Sequence, residues 1–88
     1  MHEIRHLTFS SRTTPKGITD RCNRIARECS DSGGDLYNGI RFNDKVLANY
    51  ETARQWINEN DNGWYNNLAV KYKDGRKTNW LVKIEYHC

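Results

Sequence analysis

Two alternating runs near the end of the chain constrain it more than any other feature. Leu68, Val70 and Tyr72 alternate with Ala69, Lys71 and Lys73. Trp80, Val82, Ile84 and Tyr86 alternate with Leu81, Lys83, Glu85 and His87. Successive side chains of a strand point to opposite faces, so this period of two predicts a β-hairpin. Asp74-Gly75 begins its turn, which runs through Arg76-Lys77-Thr78. One face reads as apolar and the other as largely charged, the pattern of a sheet covered on one side only.

Two segments have the apolar stripes that would cover that face. Thr14-Pro15 reads as an N-cap followed by proline at the first helical position. Ile18, Cys22, Ile25, Ala26 and Cys29 then fall on one helical stripe, and Gly33-Gly34 is expected to end the helix. Asn49 is expected to cap a second helix, with Thr52 at N3 and Glu51 in the first turn, where the dipole favours negative charge. Tyr50, Ala53, Trp56 and Ile57 form its stripe, and the polar run Asn58 to Gly63 stops it.

The remaining strands are shorter. Ile4 to Phe9 alternates as an opening strand. Leu36 to Phe42 and Lys45 to Asn49 read as two strands around Asn43-Asp44, which have turn chemistry. The expected order is β-α-β-β-α-β-β: an α+β domain with an antiparallel sheet and both helices on one face. Its first six elements match a ferredoxin-like order, with a C-terminal strand added.

The 88 residues suit one domain spanning 1–88. Hydrophobic residues are 36% of the chain, so the core must be thin and its ten aromatics must fill much of it. No apolar run approaches the roughly 18 residues a membrane helix needs, and the first ten residues hold no apolar h-region. The expected address is therefore a cytoplasm, without membrane association. The cysteines Cys22, Cys29 and Cys88 are odd in number. Two turns of helix separate the first two by about 10.5 Å, too far for a disulfide. One of them can meet Cys88, but a reducing compartment is the simpler reading.

Chemistry-bearing patterns are sparse. His2, His6, His87 and Cys88 would gather if the first and last strands pair, but their spacing is not that of a zinc site. Cys22 and Cys29 lie on the apolar stripe, where a free thiol packs as a small hydrophobe. No nucleophile elbow, zincin helix or phosphate-binding glycine loop is present. The expectation is a protein that is not an enzyme, with no metal and no cofactor.

Recognition residues are easier to nominate. Net charge is +3, yet residues 66–88 alone carry +3 while residues 35–65 carry −2. Lys71, Lys73, Arg76 and Lys77, with Trp64 and Tyr65 nearby, form the candidate contact surface, and Lys83 adds to the basic count. Basic strands beside aromatics can track a phosphate backbone. Lysines on a solvated strand face also simply blunt edge pairing. Trp64 and Tyr65 follow the polar loop Asn60-Asp61-Asn62-Gly63. They either cover the core or, if exposed, anchor an interface.

The stretches Asn49-Tyr50-Glu51-Thr52-Ala53, Trp56-Ile57 and Asn60 through Tyr72 resemble a pattern in small proteins of Firmicutes and their phages, over about a quarter of the chain. The whole profile is similar in kind to small phage-encoded inhibitors of host defence, the anti-CRISPR proteins among them. That resemblance implies a cytoplasmic inhibitor, monomer or homodimer, that occludes a host protein or ribonucleoprotein complex. The alternative is a small nucleic-acid-binding module that uses the basic hairpin.

Overall fold

A computed structural model describes residues 2–29 and 34–88. It is an α+β fold of six elements: β1 (His2–Ser10), α1 (Pro15–Glu28), β2 (Arg41–Leu47), α2 (Tyr50–Asn60), β3 (Leu68–Asp74) and β4 (Lys77–His87). The four strands form one sheet in the order β1-β4-β3-β2.

Both helix starts follow their caps. The Thr14 hydroxyl accepts the Gly17 N–H at 3.0 Å, and Asn49 Oδ1 accepts the Thr52 N–H at 2.8 Å. Each satisfies an N–H that the first helical turn leaves without a partner. α1 ends earlier than expected. Cys29 is its C-cap and donates its N–H to the Ala26 carbonyl, so Gly33-Gly34 does not end the helix. Gly33 itself lies outside the described residues.

The sheet departs from the expected one in three ways. First, the segment around Asn43-Asp44 does not reverse the chain. Asn43 Oδ1 accepts the Lys45 N–H at 2.8 Å, a local Asx turn. The turn chemistry is spent on a register shift between Asn43 and Val46 inside the single strand β2. Residues 36–40 are not strand.

Second, the sheet is mixed rather than antiparallel. β4 is antiparallel to both β1 and β3, while β2 is parallel to β3. Hence β1, β2 and β3 run together against β4.

Third, the helices lie on opposite faces. The chain crosses the sheet from β1 to β2 under α1 and comes back one strand under α2. Crossovers between parallel strands share one hand, so two that travel in opposite directions put their helices on opposite faces. The hairpin register agrees. Asp74 pairs with Lys77 around a two-residue loop, with Gly75 at φ 62°, so Lys77 and Thr78 belong to β4 rather than to the turn. This register sets Val70 beside Leu81 and Ala69 beside Val82. The apolar sets of the two strands therefore face opposite ways, as a one-residue change of register demands. Ala69, Trp80, Val82, Ile84 and Tyr86 pack with Ile18, Cys22 and Ala26 of α1. Leu68, Val70, Tyr72 and Leu81 pack with Ala53 and Ile57 of α2.

One consequence reaches the site. The charged side of β4, expected to meet water, is covered, and Lys83 and Glu85 are 1% and 4% exposed. At the other end of the chain, Cys29 and Cys88 form a disulfide with their Cα atoms 4.7 Å apart, and Cys22 is the buried free cysteine. Three reduced thiols were one support for a cytoplasmic address, and the disulfide removes it. No helix among the described residues is long and apolar enough to cross a membrane.

Candidate binding site

Lys83 and Glu85 lie two apart on β4, so their side chains share the face beneath α2. The ammonium has three N–H donors, and each has an acceptor: Asp61 Oδ2 at 2.9 Å, the Asn66 carbonyl at 2.7 Å and Glu85 Oε1. The other Glu85 oxygen accepts the Tyr65 N–H at 3.0 Å and lies 3.1 Å from His2 Nε2. Burial alone would push the Glu85 carboxyl up. The Lys83 hydrogen bond, the Tyr65 N–H and the charges of Lys83 and His2 outweigh it and hold the group below its ordinary value.

Asn67, 2% exposed, ties this network to a second loop. Its Oδ1 accepts the Glu85 N–H at 2.8 Å, and its Nδ2 donates to the carbonyls of Tyr37 and Gly39 at 3.1 and 2.8 Å. Buried hydrogen bonds fix one geometry, although Asp61 Oδ1 is buried without a hydrogen-bond partner among the described residues. Here they hold two loops, residues 36–40 and 61–67, against the end of β4. Each loop contains a non-glycine residue at positive φ: Asn38 at 65° and Tyr65 at 55°. Asn tolerates that region; a tyrosine there is held by its surroundings.

The pinned loops present aromatic rings. Trp64 is 78% exposed and Tyr37 68%. The His2 ring sits 5.5 Å from Trp64 and 5.3 Å from Tyr65, and Tyr65 meets Tyr37 edge-on at 6.0 Å. Tyr37 and Tyr65 also line a cavity of about 360 Å³, together with Ala26, Asp35, Leu36, Glu85, Tyr86 and His87. Its floor belongs to β4 and α1, and its walls to the two loops. Such a site can bind through π faces and carboxylates.

The six nominated contact residues do not form one surface. Trp64 and Tyr65 precede β3, and Arg76 follows it. Seven strand residues separate the two groups by about 20 Å. Lys71 lies on the α1 face, with its ammonium 4.9 Å from the Trp80 ring centroid. Lys73, Arg76 and Lys77 are exposed at the hairpin end. Arg76 and Lys77 line a recess there with Arg12, Ser10, Ser11 and Asp74. Lys83 leaves the basic surface altogether.

The terminal strands do pair, and His2 stands opposite His87 with ring centroids 6.3 Å apart. Cys88 is bonded to Cys29, and His6 is opposite Lys83. Among the described residues no group of three or more His, Cys, Asp or Glu side chains is placed to hold a metal ion. The His6 imidazole is held below its ordinary value by burial and by the charges of Arg54 and Lys83, against an opposing effect of Asp61.

Tyr37, Glu85 and Asn67 were not singled out from the sequence. The near-continuous run Trp80-Leu81-Val82-Lys83-Ile84-Glu85-Tyr86 is the signal that identifies a strand covered on both faces. No family model matches the chain, and no curated protein or solved structure matches it.

Proposed function

We propose that this chain is a non-enzymatic binding protein that docks a protein partner with the aromatic end of its sheet. The class of partner is the one its resemblance implies: a host defence protein or nuclease complex, inhibited by occlusion. The observation that carries the docking surface is Trp64, a large ring left 78% exposed on a loop that a buried hydrogen-bond network holds in place. Rigid Trp and Tyr side chains lose little entropy on binding and dominate interface energetics. The lysines at the far end are not part of this surface. The test is capture from host lysate, with and without nuclease, by the wild type and by Trp64→Ala. A nuclease-resistant protein partner that Trp64→Ala no longer captures supports the reading. Recovery of nucleic acid alone overturns it.

A second reading rests on the recess at the hairpin end, where Arg12, Arg76 and Lys77 gather. Three cations there suit a phosphate backbone, and such binding would weaken steeply with salt. Burial of Lys83 and the commitment of Lys71 to Trp80 leave it fewer charges than the sequence promised. A mobility-shift assay at low salt with Arg76→Glu and Lys77→Glu decides it.

A further inference from the structure

The cavity between Tyr37 and Tyr65 has a composition of its own. Three tyrosines, Tyr37, Tyr65 and Tyr86, line it with His87 and Leu36. Its lining includes Asp35 and Glu85 and no lysine or arginine, although the chain as a whole carries +3. We infer that this cavity receives a cationic side chain, arginine or lysine, projecting from the protein partner. The inference rests on the docking reading above and names the group that the partner inserts.

Charge complementarity is the first argument. Lys83 faces Glu85 and Asp61, and the second Glu85 oxygen lies 3.1 Å from His2; of these groups only the Glu85 carboxylate lines the cavity. Asp35 is bound by Arg27, but both contacts, from Nε at 2.6 Å and from Nη2 at 2.5 Å, fall on Oδ1. A cation entering here meets the Asp35 carboxylate at the rim and the Glu85 carboxylate at the floor, with no lysine or arginine in the lining.

Ring chemistry is the second. The face of a tyrosine is negative, and a guanidinium or ammonium within about 6 Å of its centroid is attracted. Tyr65 and Tyr37 meet edge-on, interplanar angle 69°, so they form two walls of different orientation rather than a collapsed stack. Size agrees, since about 360 Å³ lies at the small end of ligand pockets and suits one long side chain. The cavity is also built beforehand: Asn67 fixes the Tyr37 loop, and Glu85 fixes Tyr65. A preformed cavity spares the partner an ordering cost.

The experiment is an amide NMR titration of the whole protein with Nα-acetyl-arginine methylamide and Nα-acetyl-lysine methylamide, using the neutral citrulline analogue as control. The expected result is saturable shifts at Leu36, Tyr37, Tyr65 and His87 with at least one cationic probe, at least about fivefold tighter than with citrulline. Tyr37→Leu and Asp35→Asn, both at exposed or partly exposed positions, should each weaken that binding while leaving the thermal midpoint in place. Equal binding of citrulline overturns the inference, and so does the absence of shifts with both cations at their solubility limit. If the cavity takes no cation but Trp64-dependent capture persists, this inference falls and the docking reading stands. If a cation binds but no Trp64-dependent partner is found, the docking reading falls.

Discussion

Glu85 accepts the backbone N–H of Tyr65 at 3.0 Å, across twenty residues of chain. The acceptor is a buried carboxylate on the central strand, and the donor is a bulky residue at φ 55°. One hydrogen bond thus joins the ion-paired interior to the conformation of the loop that presents Trp64.

Glu85→Gln should lower stability by about 2–3 kcal/mol near neutral pH, because Lys83 loses its buried carboxylate partner and keeps only the half-buried Asp61. The carboxyl is held below its ordinary value of 4.5 in the folded protein. Its contribution is therefore fully present above that value and is lost as pH falls through the lower folded value. Urea unfolding of both proteins should show their difference shrinking as pH is taken progressively below 4.5. A difference that stays constant with pH would refute the assignment.

His6→Leu tests the other titrating group beneath α2. The His6 Nε2 atom is buried without a hydrogen-bond partner, so its removal should leave stability at pH 7 within about 1 kcal/mol of the wild type. The imidazole is held below its ordinary value of 6.5, chiefly by burial. The unfolded chain then takes up a proton more readily than the folded one, and wild-type stability declines as pH falls below 6.5. The Leu variant should show a shallower decline there. An unchanged slope would mean that His6 does not titrate as its surroundings require.

What was legible in the sequence is what local chemistry decides. Thr14 and Asn49 cap their helices whatever the sheet does, because each bonds to an N–H three residues on. The hairpin was legible for the same reason. Its faces were not. Apolar and charged residues alternate identically whether the charged side meets water or is paired inside, and Lys83 and Glu85 are paired inside. The deciding quantity was the loop length at Gly75, which sets Val70 beside Leu81. Strand order depended on two crossovers that no short stretch records. The site was half legible: Trp64 and Tyr65 stand out as rings after a polar loop, but the acids and amides that hold them come from distant strands and loops.

The Cys29–Cys88 disulfide joins residues 59 apart. Closing a loop of that length should contribute about 4 kcal/mol through the entropy of the unfolded chain. Cys88→Ser, or reduction, should therefore lower the thermal midpoint substantially. The purified protein should also be two hydrogens lighter than its reduced form by mass spectrometry. Cys22 behaves differently. Burial pushes its thiol up to about 11 against the opposing charges of Arg21 and Arg5, so the thiolate is scarce at neutral pH. Alkylation of the native, non-reduced protein should leave Cys22 unmodified until the chain unfolds. Rapid native labelling at Cys22 would contradict its placement on the buried face of α1.

Replacing Tyr65 separates its backbone from its ring. A non-glycine residue in the left-handed region costs on the order of 1 kcal/mol or more, and a β-branched residue costs most. Tyr65→Gly removes that strain but loses the ring contacts with His2 and Tyr37. Its stability should stay within about 1 kcal/mol of the wild type, since the two effects oppose. Tyr65→Val loses the same contacts and keeps a worse strain, so it should fall below the Gly variant by at least about 1 kcal/mol. Both variants lose the cavity wall, so both should bind a cationic probe more weakly. Chemical denaturation of the pair reads the first difference, and the amide titration reads the second. If Val proves as stable as Gly, residue 65 does not occupy the left-handed region, and the Glu85 bond is not what holds the loop.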